Sequence, residues 1–574
     1  MFLCGEPVVE NVPLYETVDA TLTVTIPVNE WDGFGFLPVM VRAENKSEEA
    51  CEWQFTFEHG SRNRRDAGLA LRSGFVVTAP GRATRTTTLW LPGEGAPVSW
   101  RRVSLTMSVR GSGVQGRSAW STQIFNGWRG NGLCFAVSPA LEAEYRARRE
   151  RMDKARNPPN TSVMRPEEWP ADWRAWSPFA VAVMTAGEFD ALDTARQAAL
   201  RDWVALGGRL YLKPFAGRRP PSLRNVTVTP ERHGMGTITR DDMPPGLYVA
   251  SEGGYGGGGA VAMTVTSPSV KAAGEEEAPA ANPREVRALR ARPWQPLVKL
   301  FGPEEVDALQ LSQATWWLIF FLLAFGVVIG PVNLFLWAPA GKRHRLFFTV
   351  PVISLGASAL LALVIVFHDG FGGEGARRAL VMLLPGENKA VVAQQQVSRT
   401  GMLLGKNFAI AGDTVLAKTP ADSANNIPGK MAERQADAAS GDWFTSRAME
   451  GHVLLQVAPT RGRVELLAGG AGGEQDAAPV VQSSMAGVLR DFVLVGAGER
   501  LWTADEVPPG RRVTLSLNDG REPAILDTFG WQEAGRFYAV MDGADVAPIA
   551  TLGTIRWRDD KVFVTGRAEG GAGP

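Results

Sequence analysis

The side chains best suited to chemistry are few in this chain and widely spread. Acyl transfer and hydrolysis need a nucleophile such as cysteine next to a base such as histidine, which a carboxylate orients. These residue types do not cluster in the sequence, and no HxxxH, HExxH or calcium-loop spacing occurs. We therefore predict no catalytic residue, no cofactor and no metal site. The cysteines and histidines are Cys4, Cys51, Cys134, His59, His233, His344, His368 and His452.

One acidic side chain, Glu188, leaves a weaker alternative open. It lies in the turn Thr185-Ala186-Gly187-Glu188, directly after the apolar run 179–184, which we predict to be a strand. Open α/β sheets bind ligands beyond the carboxyl ends of their strands. Glu188 is therefore a candidate ligand-site residue, and an envelope hydrolase acting there is the alternative function.

A second pattern, GSGVQG at residues 111–116, matches GxGxxG directly after a predicted strand. A dinucleotide-binding fingerprint requires a helix that opens at the third glycine and an acidic residue about 20 positions later. The sequence continues as RSAWSTQIFNGWRG, which does not have this form. We expect a glycine-rich β-turn here.

The elements that would position Glu188 form a β-α-β pattern. After the run 179–184, residues 194–197 have the spacing of a capping box, and Leu200, Trp203 and Val204 fall on one helical face. Gly207 and Gly208 stop this helix, and 209–212 resumes as a strand. We predict parallel strands joined by a right-handed crossover, within a small α/β domain at 161–250.

Two stretches carry a resemblance to a known family. Residues 192–212, LDTARQAALRDWVALGGRLYL, resemble a segment of glutamine-amidotransferase-like modules in uncharacterised bacterial membrane proteins. Residues 329–333, IGPVN, followed by a basic turn, resemble the first membrane span of such proteins. The resemblance implies a flavodoxin-like α/β domain with a parallel sheet, between a β-sandwich and a two-helix membrane hairpin.

Active amidotransferases of this class place a cysteine nucleophile on a sharp turn after a strand and use a histidine base. The corresponding turn here is Thr185-Ala186-Gly187-Glu188, without cysteine, and no histidine is followed two residues later by glutamate. The nucleophile and base of the family therefore have no counterpart in this chain. The module is predicted to be degenerate.

Two long apolar runs predict membrane-spanning helices. Residues 316–337 are 22 positions without a charged side chain, and residues 347–367 are 21 more. A helix needs about 20 apolar residues to cross a bilayer. We predict helices at 314–337 and 347–368, joined by a loop at 338–346. Asn333 is the most polar side chain inside, and we expect its amide to bond the carbonyl freed by Pro331 or the partner helix.

The loop between these runs carries Lys342, Arg343 and Arg345, whereas the outer flanks are less basic. The positive-inside rule puts this loop in the cytoplasm and both large flanks outside, in a multi-pass protein of the bacterial inner membrane. Export of the first flank needs a signal sequence, which MFLCGEPVVENV does not resemble. We expect translation to start upstream of the printed sequence; an inverted topology with both flanks cytoplasmic is the rival.

The flanks themselves have mainly β patterns. Alternation such as Leu22, Val24 and Ile26 between threonines predicts a β-sandwich at 1–137, followed by a charged connecting helix at 138–160. Glycine-rich and acidic residues predict a flexible linker and juxtamembrane segment at 251–313. Residues 369–574 predict a second β-rich domain, with a polar, irregular part at about 418–448.

Composition excludes some functions and leaves others open. Lysine plus arginine and aspartate plus glutamate both number 60, so no net charge attracts nucleic acid. We predict a non-catalytic binding or scaffolding protein of the envelope, with the lipid bilayer and other envelope proteins as partners. A disulfide between Cys51 and Cys134 and the oligomeric state stay open at this point.

Overall fold

The computed structural model describes residues 8–12, 19–28, 31, 35–61, 69–93, 103–114, 118–124, 134–143, 160–179, 181–213, 231–240, 316–339, 341–419, 429–468, 478–518, 520, 522–529, 532–542 and 548–570. The predicted linker at 251–313 lies outside these residues. The predicted charged helix is described only at its two ends, where 139–143 are helical and residue 160 begins a strand.

Eight strands occupy the first region. The pattern of alternating burial follows the sequence: Leu22, Val24 and Ile26 are buried and the threonines between them are half-buried. The strands are β1 (Val8–Val12), β2 (Ala20–Ile26), β3 (Phe36–Asn45), β4 (Cys51–Ser61), β5 (Ala70–Ala79), β6 (Ala83–Pro92), β7 (Val103–Gly111) and β8 (Ser118–Ile124).

These strands form two sheets that pack face to face. One sheet has the order β1-β2-β3-β6 and the other contains β5-β4-β7-β8, with antiparallel neighbours throughout. Val39 and Val41 from the first sheet share a core with Trp53, Phe55 and Phe57 from the second. Burial of one face per sheet explains why the hydrophobic period is two.

The next region is a parallel sheet with helices. Its elements are β9 (Cys134–Val137), β10 (Asn160–Val163), β11 (Val181–Thr185), α1 (Ala186–Ala191), α2 (Thr194–Ala205), β12 (Arg209–Lys213), β13 (Glu231–His233) and β14 (Gly236–Thr239). The strand order is β10-β9-β11-β12-β14-β13. All neighbours are parallel except β13 and β14.

Both faces of this sheet are buried. Phe135, Val181 and Val183 pack on one side with Leu141 of the helical stretch 139–143. Ala182 and the facing residues of β12 pack on the other side with α2. Burial on both faces explains the continuous apolar run that the sequence shows at β11. It also places Cys134–Val137, which we expected at the end of the first region, in the parallel sheet.

Helix α2 begins one residue earlier than the capping-box spacing predicted. Asp193 is the N-cap, and its carboxylate accepts a hydrogen bond from the Arg196 N–H at 2.8 Å. The helix ends at a glycine pair, where a Cβ on Gly208 would lie 2.3 Å from the Trp203 ring. Only glycine therefore lets the chain pass so close to this buried tryptophan.

Two apolar helices follow. The first is α3 (Trp316–Val327), which continues as a π-helical segment (Val328–Trp337), and the second is α4 (Leu346–Asp369). The stretches Ile319–Trp337 and Arg343–Leu361, with mean hydropathy 2.4 and 1.4, are long and apolar enough to cross a membrane. The π-helical segment packs against α4.

The last region is again β-rich. Its elements are β15 (Gly373–Leu384), β16 (Lys389–Thr400), β17 (Phe408–Ala409), β18 (Val415–Thr419), β19 (Met431–Gln435), β20 (Ala438–Gly441), β21 (Met449–Pro459), β22 (Val464–Ala468), β23 (Val480–Ser483), β24 (Val488–Val495), β25 (Leu501–Val507), β26 (Arg512–Thr514), β27 (Ser516–Leu517), α5 (Ala524–Phe529), β28 (Arg536–Asp542) and β29 (Ile555–Arg567).

Most of these strands form one large sheet of nine, in the order β18-β21-β16-β15-β29-β28-β24-β25-β27. Only β15 and β29 are parallel neighbours within it. A smaller sheet has the order β22-β23-β26. The prediction of a mostly β chain with several sheets and two apolar helices is confirmed.

Three short strands leave this region and extend the first one. The second sheet of the first region continues as β17-β20-β19-β5-β4-β7-β8. Strand β19 runs parallel to β5, with Met431 opposite Ala70 and Arg434 opposite Ser73. The prediction of an irregular 418–448 segment is therefore wrong for β19 and β20, which are strands because β5 offers an edge to pair with. The chain before the apolar helices and the chain after them share one sheet.

Candidate functional site

Glu188, the candidate ligand-site residue, is engaged in a helix cap. Its Oε2 accepts hydrogen bonds from the Thr185 N–H and hydroxyl, both at 2.9 Å, and its own N–H donates to the Thr185 hydroxyl oxygen at 3.1 Å. This reciprocal capping box starts α1 and satisfies two backbone donors. The Glu188 carboxylate thus caps a helix at the carboxyl end of β11, where we expected it to contact a ligand.

Cys134 and His233 do not meet. Cys134 starts β9 and His233 ends β13, with β11, β12 and β14 between those two strands. Four strand spacings of about 4.8 Å each separate their backbones by roughly 19 Å. Cys51 is a free, buried thiol. The GxGxxG match begins at Gly111, the last residue of β7, and its residues 115–116 lie outside the described residues; β7 and β8 pair as antiparallel strands.

A cluster of buried polar side chains lies in the nine-stranded sheet. The Lys418 Nζ donates to Glu450 Oε1 at 2.8 Å and to the Asp442 carbonyl oxygen at 2.8 Å. The side chains of Lys418 and Glu450 are only 1% and 0% exposed. The two oxygens of Glu450 also accept from the Thr445 N–H, at 3.0 and 3.1 Å. We call Lys418, Glu450 and His452 the buried polar cluster.

Strand register places His452 in the middle of this cluster. It lies opposite Lys418 on one side and Gln396 on the other. Its Nε2 is 2.8 Å from the Trp443 carbonyl oxygen, and its ring is 4.5 Å from the Phe444 ring. The segment 442–445 therefore covers the cluster from above, with backbone groups as its main polar contacts.

Burial sets the protonation of all three residues. It lowers the pKa of His452 to about 3, and the neighbouring positive charge of Lys418 acts in the same direction. Burial also lowers the pKa of Lys418 and raises that of Glu450, while the attraction between the two opposes both changes. Such groups could exchange a proton in an open site. Because Lys418 and Glu450 are almost completely buried, no substrate can reach them, and they form an internal ion pair instead.

A second charged group joins the parallel sheet to the nine-stranded sheet. The Lys389 Nζ donates to both carboxylate oxygens of Asp202 on α2, at 2.6 and 2.8 Å. His233 Nε2 lies 3.5 Å from Glu387 Oε1. Burial raises the pKa of Asp202 and lowers that of His233, partly against the attraction of their partners. These contacts fasten the α/β region to the C-terminal region.

Two arginines make a second junction around Phe36. The Arg174 and Arg434 guanidinium carbons lie 5.7 and 5.9 Å from the Phe36 ring centroid. Arg174 donates to the Gly412 carbonyl oxygen at 3.2 Å, and Arg434 donates to that of Ala411 at 2.9 Å. Burial lowers the pKa of Arg434 to about 10. The first region, the α/β region and the C-terminal region therefore meet at one ring.

The residues singled out in and between the apolar helices have distinct settings. Pro331 lies within the π-helical segment, where the Ala338 N–H donates to the Asn333 carbonyl oxygen at 2.9 Å. The Asn333 side chain is fully buried, and its amide has no hydrogen-bond partner among the described residues. Lys342, Arg343 and Arg345 are exposed in the connection between the helices.

An open groove lies beside β16 and β21 of the nine-stranded sheet. It measures about 480 Å³ and is lined mainly by apolar groups, including Val392, Ile410 and Ile549. Gln394 donates to the Ile549 carbonyl oxygen at 2.9 Å, so one wall is fastened to the sheet. Across the residues described above, no group of three or more His, Cys, Asp or Glu side chains could hold a metal ion.

Comparison with known proteins yields little. No family model matches the chain, and the search of curated proteins found no significant match. Among solved structures, β-glucuronidase 2 of Bacteroides uniformis, covalently bound to cyclophellitol-6-carboxylate aziridine, is 11% identical, with a TM-score of 0.14 over 38% of this chain and 24% of that one. A second β-glucuronidase structure from that organism is also 11% identical, with a TM-score of 0.12 over the same shares.

A third similar structure is a calcium-binding mutant of the B. uniformis enzyme, with 11% identity and a TM-score of 0.14 over 36% of this chain and 33% of that one. The chain thus spans about a quarter to a third of these enzymes. TM-scores this low establish neither a shared fold nor a shared activity.

The sequence did not reveal the buried polar cluster. Lys418 and Glu450 lie in the strands VLAKT and MEGHVLLQVAP, where each is one polar residue among mostly apolar ones. That interruption of an apolar run was the available signal. It became meaningful only once the register placed Lys418, Glu450 and His452 on adjacent strands.

Proposed function

We propose that this chain is a non-catalytic binding or scaffolding protein of the bacterial inner membrane, held by a hairpin of two membrane-spanning helices. The observation that carries the proposal is the parallel pairing of β19 with β5. Strands can pair only on the same side of a bilayer, because an open sheet does not cross hydrocarbon. The flanks before and after the helices then lie on one side, and α3 and α4 cross as a pair.

The orientation rests on charge. Lys342, Arg343 and Arg345 lie in the short connection between the two apolar helices, and short basic loops stay in the cytoplasm. Both folded flanks are then extracytoplasmic. Their shared sheet and the two junctions, at Asp202 and at Phe36, make them one body on the outer face of the inner membrane.

The binding role rests on how the polar groups are used. Glu188 caps a helix, and the buried polar cluster is enclosed, so neither offers a reactive group to a substrate. The order of the first four strands of the parallel sheet, 2-1-3-4 in chain order, is that of flavodoxin-like folds. It supports a degenerate amidotransferase-like module, which serves here as part of a surface for other envelope proteins.

Labelling of single cysteines tests this topology. In a chain without its native cysteines, Val76→Cys lies before the helices, Leu517→Cys after them, and Lys342→Cys between them. Val76 and Leu517 are 59% and 44% exposed, and Lys342 is exposed too. We expect a membrane-impermeant maleimide to label the first two in cells with a permeabilised outer membrane. Lys342→Cys should react only after lysis.

The pattern of labelling separates the alternatives. Reaction of Val76→Cys without Leu517→Cys, or the reverse, would exclude a hairpin. Reaction of Lys342→Cys alone before lysis, in cells with a permeabilised outer membrane, would show the inverted topology. Labelling of all three after lysis is the control that each position is accessible in the folded protein.

A further inference from the structure

We propose that Phe371 and the turn 401–405 form a second, interfacial contact with the lipid bilayer, which seats the folded body on the membrane surface. The inference rests on the proposed function, since it requires that α4 cross the bilayer. It adds a lipid-binding surface on the extracytoplasmic body itself. We call Phe371 and residues 401–405 the membrane foot.

The position of Phe371 follows from chain geometry. Helix α4 ends at Asp369, and the last apolar residue of its sequence is Phe367. Two helical residues rise about 3 Å, and two extended residues span at most about 7 Å. Phe371 therefore starts within roughly 10 Å of the hydrocarbon edge. The headgroup layer is about 5–8 Å thick, so a phenylalanine ring at this position reaches it.

The turn 401–405 is fastened to the end of this helix by backbone hydrogen bonds. The Met402 N–H donates to the Gly370 carbonyl oxygen at 3.0 Å, and the Gly372 N–H donates to that of Met402 at 3.1 Å. The Gly401 N–H donates to the Gly372 carbonyl oxygen at 2.7 Å. The turn is thus held against the chain segment that leaves α4.

The residues just before β21 hold the turn from the other side. The Arg447 N–H donates to the Gly401 carbonyl oxygen at 3.0 Å, and the Leu403 N–H donates to the Ser446 hydroxyl oxygen at 3.2 Å. Arg447 is exposed beside the turn. Arginine suits the level of lipid phosphates, where its stem lies in apolar surroundings and its head stays hydrated.

Exposure is what points to lipid as the occupant. Outside the two apolar helices, Leu404 and Phe371 are the two most exposed large hydrophobic side chains described, at 84% and 62%. Scattered surface hydrophobics are normal in soluble proteins. These two lie on one hydrogen-bonded unit that directly follows the C-terminal end of α4. Apolar side chains in such a place partition into the interface.

Fluorescence quenching by lipids tests the foot directly. The full chain without native cysteines is labelled with an environment-sensitive nitrobenzoxadiazole maleimide at Leu404→Cys, and reconstituted in vesicles of phosphatidylcholine and phosphatidylglycerol. We expect blue-shifted emission, loss of intensity with lipids brominated close to the headgroup, and weak quenching by iodide. Val76→Cys, 59% exposed and distant in the fold, is the matched control and should show iodide quenching only.

A third label keeps the two proposals separable. Leu355→Cys lies in α4 and is 75% exposed, so it reports whether this helix is in the bilayer. Bromolipid quenching at Leu355→Cys but not at Leu404→Cys would overturn the foot and leave the hairpin. No bromolipid quenching at Leu355→Cys would overturn the hairpin and the foot together. Bromolipid quenching at Val76→Cys as strong as at Leu404→Cys would also count against a specific foot.

Discussion

Lys418 and Glu450 are the residues whose setting most constrains the C-terminal fold. Each charge has lost its water, and each is compensated by the other and by backbone groups at 2.8–3.1 Å. In such pairs the loss of one partner leaves an uncompensated charge, at a cost of about 3–5 kcal/mol. An exposed pair such as Arg558 and Glu374 contributes about 1 kcal/mol or less. The buried pair therefore fixes the register of β18 on β21.

The buried histidines predict a loss of stability in acid. Burial lowers the pKa of His452 to about 3 and that of His59 to about 4, below the ordinary 6.5. Above pH 6.5 both are neutral in either state, so stability is fully present. As the pH falls from 6.5 toward these values, only the unfolded chain takes up the protons. Each histidine then costs about 1.4 kcal/mol of unfolding free energy per pH unit.

The matched test is His452→Gln, measured as unfolding free energy against pH between 7 and 5 in detergent. Glutamine can still donate to the Trp443 carbonyl, but it takes up no proton in this range. We expect the slope of the variant to be smaller than that of the wild type by about 1.4 kcal/mol per pH unit near pH 5. Equal slopes in His452→Gln and wild type would refute a neutral, buried His452.

For individual residues, the sequence predicted local structure better than contacts between residues that are distant in the chain. The turn at Glu188 was identified, yet its carboxylate caps a helix, because a free N-terminus needs acceptors wherever the edge of a sheet lies. His452 and Lys418 are 34 positions apart in the sequence and become neighbours only through β-register. No periodicity encodes such a pairing.

Among the elements, β19 is the clearest example of a strand that sequence patterns do not predict. Strand β2 was predicted from its alternation, and the helices α3 and α4 were predicted from uninterrupted apolar runs. Strand β19 reads MAERQ, which is short and largely polar. It is a strand because β5 and β20 satisfy its backbone on both sides. Strand formation that depends on a distant partner cannot be read from a local window.

The pairing of β5 with β19 predicts a specific cross-link. Arg72 and Glu433 are opposite in this register, and their side chains form an ion pair at 3.2 Å. In a chain without native cysteines, a short bis-maleimide should join Arg72→Cys to Glu433→Cys, since neighbouring strands bring Cβ atoms within about 5 Å. A protease site inserted after Gly259 allows the readout. After cleavage, the two fragments should migrate together on a denaturing gel.

The control for this experiment is Lys46→Cys with Glu433→Cys. Lys46 is half exposed and follows β3 in the facing sheet, so it is accessible but does not oppose β19. Its fragments should separate after cleavage. Separation of the fragments in the Arg72 and Glu433 pair as well would refute the shared sheet and, with it, the argument for a hairpin.

For the whole molecule, the two flanks are interleaved rather than joined end to end. Leu69 and Leu71, from the first flank, belong to the same hydrophobic core as Trp443 and Phe444 from the second. The junctions at Phe36 and at Asp202 add polar contacts between the same flanks. A boundary drawn at the apolar helices therefore sets these helices apart but does not separate two independent folding units.

This interleaving predicts that neither half is stable alone. Expressed separately in the same host, 1–259 and 260–574 should each be degraded or aggregate, since each exposes part of a shared core. Co-expressed, they should co-purify through a tag on one half. Full-length protein cut at the same site after folding is the control and should stay associated. A separate half that unfolds cooperatively and resists proteolysis would contradict this prediction.

The pairing of β5 with β19 also determines when these strands can pair during synthesis of the chain. Arg72 and Glu433 are 361 residues apart in the chain. At roughly 5–20 residues per second, the ribosome needs about 20–70 s to reach β19 after it has made β5. During that time the edge of β5 is open, and the two intervening apolar helices are synthesised. An open strand edge favours incorrect pairing, so we expect nascent chains of this protein to need protection of β5 until its distant partner emerges.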